Sequence, residues 1–155
     1  MRAWYDIIEI SNSKGQDEAG IRHSADKVRA LIAFEISRGI PASKIILAGF
    51  SQGGAMALHV GLRYPERLAG IMVLSAYLMF PDRLQSEHSE ANSATPVFVS
   101  HGTQDTVIPI ALGEAARSAL QAGHWPVEWH SYPIPHSVSQ VEIEDIGRWM
   151  QGCFS

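Results

Sequence analysis

The most informative stretch of this 155-residue chain is Ile45-Ile46-Leu47-Ala48-Gly49-Phe50-Ser51-Gln52-Gly53. Its first four residues are apolar on both faces, which is typical of a strand buried in a parallel sheet. A helical stretch follows from Ser51 to about Tyr64, where Pro65 stops it. The junction fits the G-x-S-x-G pattern, in which a serine lies on a strained turn between strand and helix. The glycines on either side of the serine predict that two backbones pass there without a Cβ clash.

Strands and helices alternate along the rest of the chain. The remaining predicted strands are Gly70–Leu74, Pro96–Ser100 and Val127–Tyr132. Upstream, apolar residues at helical spacing predict a helix over Ile21, Ala25, Val28, Ile32 and Ile36 that Gly39 and Pro41 end. This alternation predicts an α/β fold, with a parallel sheet covered by helices on both sides.

Two further helices and two connections complete the pattern. Ile110–Ala122 is rich in alanine and predicts a helix. The last helix is predicted to begin at Ser137, because Gln140 three residues later matches a capping box. The polar stretch Ser11–Gly20 predicts a loop, and Ser75–Thr95 predicts a long connection with room for a short helix.

Ligands bind at the carboxyl ends of strands in such sheets, so the residues directly after each strand indicate function. Ser51 follows the first of these strands, and Asp105 follows the third, where a carboxylate can orient a histidine. His136 follows the fourth, in a loop that Pro133 and Pro135 stiffen. The order Ser…Asp…His along the chain is that of α/β hydrolases. We therefore expect a catalytic triad of nucleophile, acid and base.

Each triad residue also has a plainer interpretation. Ser51 could begin a small-residue helix packed on the sheet, Asp105 could satisfy its own loop in an Asx turn, and His136 could be an exposed loop histidine. Asp82 and Glu128 are alternative acids, although neither follows a strand end as directly. The agreement of three independent positions favours the triad over these alternatives.

Other chemistries fit this sequence less well. His101 has no evident chemical role and is expected to be a hydrogen-bonded structural histidine. Gly53-Gly54 lacks the lysine of a phosphate-binding loop, and no Cys/His cluster has zinc spacing, so we expect neither a metal nor an organic cofactor. Cys153 is the only cysteine, which excludes a disulfide within the chain and fits a reducing, cytoplasmic setting.

Composition and charge bound the class of protein. The length fits a single domain over residues 1–155, and 46% apolar with 18% charged residues excludes a disordered chain. A net charge of −4 without basic runs argues against binding to nucleic acid or anionic membranes. Apolar stretches such as Ile71–Leu74 are too short for stable insertion into a bilayer.

Several segments resemble the phospholipase/carboxylesterase family, whose members include bacterial carboxylesterases and acyl-protein thioesterases. They are Trp4-Tyr5-Asp6-Ile7, Leu47–Ala55, His101–Asp105, Pro135-His136-Ser137 and Glu142–Trp149. The resemblance covers nearly all of the chain. It implies an α/β-hydrolase fold with three layers and a mainly parallel sheet. It also implies hydrolysis of carboxylic or thio esters with short to medium acyl groups.

The resemblance assigns site residues as well. It places the same three catalytic roles on the serine, aspartate and histidine named above. It makes the backbone N–H of Gln52 one donor of the oxyanion hole. It puts Trp4 and the Leu78–Phe80 segment, Leu78 above all, near the acyl pocket. The implied partner is a small-molecule ester, and the resemblance leaves room for a homodimer.

The sequence departs from the family in one respect. Family members carry further strands before the Trp4-Tyr5-Asp6-Ile7 segment, with a loop that supplies the second oxyanion N–H. Loss of one such donor is expected to cost on the order of 10²–10³ in rate. Without those strands, Ile45–Ala48 is expected to form an exposed apolar sheet edge that invites pairing with another chain. We therefore expect either a part of a longer protein or a self-associating fragment.

Three functions follow from these residues. The leading interpretation is a serine carboxylesterase that works through an acyl-enzyme. An acyl-protein thioesterase or lysophospholipase would use the same triad. A catalytically impaired fragment that binds or self-associates is the alternative from a different class, and it should not react with a fluorophosphonate at Ser51.

Overall fold

Four parallel strands form one sheet in the computed structural model, which describes residues 3–5 and 17–155. They lie side by side in chain order as β1 (Ile46–Phe50), β2 (Gly70–Leu74), β3 (Val97–Gly102) and β4 (Val127–Tyr132). In the register of the sheet, Leu47 faces Ile71, Ile71 faces Val97, and Val97 faces Val127. Parallel neighbours require crossover connections, which explains why helical segments separate the strands.

Helices cover both faces of this sheet. The α-helices are α1 (Glu18–Ser37), α2 (Gln52–Gly61), α3 (Leu84–Glu87), α4 (Ile110–Ala122) and α5 (Gln140–Cys153). Three-residue 3-10 turns occur at Ala42–Lys44, Pro81–Arg83 and Glu90–Asn92. The short α3 confirms that the long connection after β2 contains a helix.

The core lies in two layers, one on each face of the sheet. Alternate residues of β2 and β3 point to opposite faces. Ile71, Val73, Val97 and Val99 belong to a large cluster with residues of α1, α2 and α4. Met72 and Phe98 instead pack with Trp149 of α5. The predicted three-layer α/β architecture is therefore confirmed.

Helix α1 buries the predicted stripe but begins earlier than predicted. Ile21, Ala25, Val28 and Ile32 are buried. The carboxylate of Asp17 accepts the N–H of Gly20 at 2.9 Å and so caps a helix that begins at Glu18. The prediction of a loop as far as Gly20 is therefore wrong at its end, and residues 11–16 lie outside the described residues.

Helix α5 also begins at a different residue from the predicted one. It starts at Gln140, and the capping box is formed by Ser139 and Glu142 rather than by Ser137 and Gln140. The Ser139 hydroxyl accepts the N–H of Glu142 at 3.2 Å, and the Glu142 carboxylate accepts the N–H of Ser139 at 3.3 Å. The segments 137–140 and 139–142 both match the capping-box motif, and the second of them caps α5.

Among residues 3–5 and 17–155, no strand pairs with the outer side of β1, which lies at an edge of the described sheet with β2 as its neighbour. Ala48 and Phe50 are exposed, and Ile46 and Leu47 are half-buried. The expectation of an exposed apolar edge is confirmed. The expectation that this strand is buried on both faces is wrong, because a neighbour on the outer side is needed to cover it.

Candidate active site

Ser51 occupies the turn between β1 and α2. Its backbone has φ 55° and ψ −126°, outside the regions that non-glycine residues normally adopt. The Ser51 N–H donates to the Leu74 carbonyl at 2.8 Å, while its own carbonyl accepts N–H groups from Gly54 at 2.9 Å and Ala55 at 3.1 Å. These bonds hold the strained turn, which places the hydroxyl at the carboxyl end of the sheet.

Close backbone packing explains two of the glycines around this turn. A Cβ at Gly49 would lie 2.1 Å from the Gly53 carbonyl oxygen, and one at Gly54 would lie 2.7 Å from the Gly49 carbonyl oxygen. Within the described part of the chain, a Cβ at Gly53 would meet only the Trp4 indole nitrogen, at an ordinary 3.6 Å. The prediction that a Cβ would clash at the glycines flanking Ser51 is confirmed at Gly49. It is wrong at Gly53, because the close contact with Gly49 is made by Gly54.

Asp105 is buried in the loop after β3 and uses both carboxylate oxygens. Oδ1 accepts the N–H groups of Val107 at 2.9 Å and Ile108 at 2.8 Å, and Oδ2 lies 2.6 Å from His136 Nδ1. Burial alone would raise the pKa of Asp105, but the bonds from His136, Ile108 and Val107 outweigh it and hold the pKa below its usual value. The carboxylate thus closes its own loop and also contacts the histidine.

His136 joins the other two side chains. Its Nε2 lies 3.0 Å from Ser51 Oγ, and its Nδ1 contacts Asp105 as given above. The loop that carries it passes close to Gly102, where a Cβ would lie 2.3 Å from the Ile134 carbonyl oxygen. A proton on Nδ1 would be donated to the carboxylate, leaving Nε2 free to accept the serine proton.

Phe50 is a neighbour of His136 that the sequence analysis did not identify. The centroids of the phenyl and imidazole rings are 4.6 Å apart, and the ring planes are tilted by 45°. The side chain is 37% exposed at the end of β1. The available signal was its position directly before the serine, but the G-x-S-x-G pattern leaves that position open.

The side chain of Gln52 clamps the segment around Trp4. Gln52 Oε1 accepts the Trp4 N–H at 2.8 Å, and Nε2 donates to the Tyr5 carbonyl at 2.7 Å. The Gln52 N–H itself lies in the first turn of α2, where an N–H has no acceptor within the helix. Gln52 therefore offers a backbone donor beside Ser51 and also fixes a neighbouring segment.

Two more contacts hold the same segment. The Ser24 hydroxyl donates to the Trp4 carbonyl, and the hydroxyls of Tyr5 and Tyr77 are hydrogen-bonded to each other. Trp4 is 40% exposed and lines an apolar cavity of about 250 Å³ with Gly53. Asp6 and Ile7 of the matching motif lie outside the described residues.

Leu78, the other predicted substrate contact, is buried. It is 8% exposed and belongs to the large core cluster. The structure thus gives Leu78 a place in the core, and a contact with substrate stays a prediction.

Other histidines and the alternative acids have different surroundings. His101 is fully buried, with Nε2 2.8 Å from the Ile108 carbonyl oxygen, which confirms the prediction of a hydrogen-bonded structural residue. Burial and the nearby Arg63 lower the pKa of His59 to about 3. Among the alternative acids, Glu128 lies 2.8 Å from His130, and Asp82 lies in a 3-10 turn.

Residues 3–5 and 17–155 include no group of three His, Cys, Asp or Glu side chains placed to hold a metal ion. The same residues include no helix that is both long and apolar enough to cross a membrane.

The fold and the serine turn define the class of protein, which is a serine hydrolase with an α/β-hydrolase fold. The chain belongs to the phospholipase/carboxylesterase family, since the family model described as Phospholipase/Carboxylesterase matches residues 1–154. It is accordingly an enzyme that acts on carboxylic esters.

Curated relatives and solved structures agree with this membership. The chain is 39% identical to acyl-protein thioesterase 1 of Emericella nidulans, over 97% of this chain and 67% of that protein. It is 34% identical to carboxylesterase SOBER1 of Arabidopsis thaliana, over 97% of this chain and 68% of that protein. The crystal structure of SOBER1 superposes with a TM-score of 0.91 at 32% identity, over all of this chain and 75% of that one.

Proposed function

We propose that this chain hydrolyses carboxylic esters with short to medium acyl groups through Ser51, His136 and Asp105. The observation that carries the proposal is the continuous path of hydrogen bonds from Asp105 Oδ2 to His136 at 2.6 Å and from His136 to Ser51 Oγ at 3.0 Å. Nucleophilic catalysis by a serine needs a base within this reach, and the base needs a third group to orient it.

The first half-reaction transfers the acyl group to the enzyme. His136 Nε2 removes the proton from Ser51 Oγ as the oxygen attacks the ester carbonyl. The Asp105 carboxylate holds the imidazole ring in place and stabilises the imidazolium that forms. The imidazolium then donates its proton to the departing alcohol. Water attacks the acyl-enzyme in the second half-reaction, with His136 again as the base.

The proposed oxyanion donor is the backbone N–H of Gln52. The negative charge that develops on the carbonyl oxygen needs hydrogen-bond donors already fixed at that position. Gln52 is the first residue of α2, so its N–H is one of the groups that the helix leaves without an internal acceptor. Because Gln52 directly follows Ser51 at the positive-φ turn, the nucleophile and the proposed donor lie on adjacent residues.

This mechanism serves an acyl group attached to either oxygen or sulfur. The relatives favour a second candidate function, which is hydrolysis of thioesters. Acyl-protein thioesterase 1 of Emericella nidulans is among the most similar relatives, at 39% identity. The same triad serves both substrate types, since only the leaving group differs. Rates on an oxyester and a thioester with the same butyryl group distinguish them: the substrate with the higher kcat/KM identifies the preferred class.

The proposed triad is tested by hydrolysis of p-nitrophenyl butyrate. Ser51→Ala is expected to lower kcat by at least ~10³-fold, because the nucleophile is lost while the fold is kept. Ser118→Ala on α4 is the matched control, since that hydroxyl donates to the Glu114 carbonyl at 2.9 Å and has no place in the triad. A fluorophosphonate should modify the peptide that contains Ser51. Full activity of a folded Ser51→Ala variant would contradict the proposal.

A further inference from the structure

The ring of Phe50 packs against the imidazole of His136, the proposed catalytic base. Asp105 and Ser51 contact the two nitrogens at the edge of the imidazole ring. The phenyl ring of Phe50 lies beside the imidazole ring, with a centroid separation of 4.6 Å and an angle of 45° between the ring planes. The base therefore contacts two polar groups through its nitrogens and an aromatic ring as a third neighbour.

Strand pairing fixes where this aromatic ring can lie. Phe50 is the last residue of β1 and pairs with Leu74 of β2. The next residue, Ser51, donates its N–H to the same Leu74 at 2.8 Å. The phenyl ring and the nucleophile are thus attached to one rigid piece of backbone, while His136 approaches from the loop after β4.

Aromatic rings attract cations through the negative charge on their faces. A cation within about 6 Å of the ring centroid gains this attraction, and 4.6 Å is inside that limit. In the proposed mechanism, the imidazole of His136 gains a positive charge when it accepts the serine proton. The attraction is therefore stronger in the transition state than in the resting enzyme, which is the condition for raising the rate.

We propose that Phe50 is a positioning residue, whose ring holds the imidazole of His136 in line with Ser51 and stabilises the imidazolium during acylation. This inference rests on the proposed function, because it requires His136 to be the base. It extends that function to a residue outside the triad.

A series of fluorinated phenylalanines at position 50 separates the effect of the ring's attraction for cations from the effect of its shape. One, two or three ring fluorines leave the ring nearly the same size but weaken its attraction for cations stepwise. Fluorination also makes the ring more apolar, so a role in excluding water alone would leave the rate unchanged or raise it. The series therefore isolates the electrostatic contribution of the ring.

The readout is the second-order rate of Ser51 phosphonylation by a fluorophosphonate. In this reaction the bond from Ser51 Oγ to phosphorus forms, the bond from phosphorus to fluorine breaks, fluoride leaves, and the serine proton passes to His136. We expect the rate to fall with each fluorine, by roughly 2- to 30-fold over the series, which corresponds to about 0.5–2 kcal/mol of cation–π attraction.

Two controls complete the experiment. Trifluorophenylalanine at Phe34, which is 58% exposed on α1 with its ring over Arg38, should leave the rate unchanged. Phe50→Tyr should keep most of the rate, whereas Phe50→Leu should lower kcat for p-nitrophenyl butyrate more than it changes KM. A flat fluorine series in a reactive enzyme would overturn the role of Phe50 alone. A Ser51 that does not react in the unsubstituted chain would overturn both proposals.

Discussion

Gln52 combines two tasks in a single residue. Its backbone N–H is the proposed oxyanion donor, and its side chain bonds to both Trp4 and Tyr5. The G-x-S-x-G pattern accounts for the first task, because the residue after the nucleophile always supplies its N–H. The second task depends on a segment 47 residues or more away in sequence, which no local pattern reveals.

The side-chain clamp predicts the effect of Gln52→Glu. A carboxylate cannot donate to the Tyr5 carbonyl, so two acceptors would face each other and the segment should loosen. The backbone N–H is kept. We therefore expect KM for p-nitrophenyl butyrate to rise more than kcat falls, and quenching of tryptophan fluorescence by acrylamide to increase. Gln151→Glu, at an exposed position near the end of α5, is the control.

The fluorescence change must come from Trp4 to support this prediction. It should disappear when Gln52→Glu is combined with Trp4→Phe. An increase in quenching that persists in the double variant would show that the effect arises elsewhere and would contradict the clamp.

The lowered pKa of Asp105 predicts how stability depends on pH. The pKa of Asp105 is lower in the folded chain than in the unfolded chain, where an aspartate ordinarily has a pKa of about 3.9. The ionised carboxylate therefore stabilises the folded state above this unfolded pKa. This stabilisation is lost as the pH falls through the lower pKa of the folded state. The free energy of unfolding should therefore differ most between the wild type and Asp105→Asn near neutral pH, and this difference should shrink below about pH 4. Urea unfolding at several pH values measures it. A constant difference from pH 7 to pH 3 would contradict the prediction.

At the scale of elements, the sequence predicted the bounds of helices and strands correctly where local sequence patterns and tertiary contacts favour the same bounds. β2, β4 and α4 have the bounds that apolar runs and helical spacing predict. Helix α5 differs, because Ser137 with Gln140 and Ser139 with Glu142 both match a capping box. Glu142 is 1% exposed and accepts the Ser100 hydroxyl of β3 at 2.6 Å. That tertiary contact selects the second box.

The choice of cap predicts a difference between two serine variants. Ser139→Ala should lower the free energy of unfolding by about 1 kcal/mol, because the Glu142 N–H loses its acceptor at the helix start. Ser137→Ala should cost little, since Ser137 donates its backbone N–H to the Pro135 carbonyl and alanine keeps that bond. Urea unfolding of both variants measures the difference. Equal losses would contradict the assignment of the cap.

At the scale of the whole molecule, the two outer strands of the described sheet differ in character. β1 carries no charged residue, and an apolar cavity lined by Trp4, Leu31 and Leu47 lies beside it. β4 carries Glu128 and His130, which are bonded to each other. Charged side chains protect a sheet edge from pairing with other chains, so β1 is the edge more open to association.

This asymmetry predicts self-association of the chain through β1. Gel filtration should show species larger than the 17.0 kDa monomer. Ala48→Lys, at an exposed position of β1, should shift the protein toward the monomer, because a charge on the edge opposes strand pairing. Ser131→Lys, at an exposed position of β4, is the control and should change nothing. A wild-type chain that elutes only as a folded monomer would contradict the prediction.

The sequence by itself determined the α/β class, the strand order along the chain and the three residues proposed as the triad. It could do so because apolar periodicity and residues at strand ends are local signals, and a parallel sheet gathers its strand ends at one edge. That residues 1–155 form one domain stays a prediction. Only the tertiary structure decided that Phe50 packs against His136, that Gln52 clamps Trp4 and that Ser139 caps α5. Each of these depends on contacts between residues distant in sequence, and their geometry exists only once the sheet has assembled.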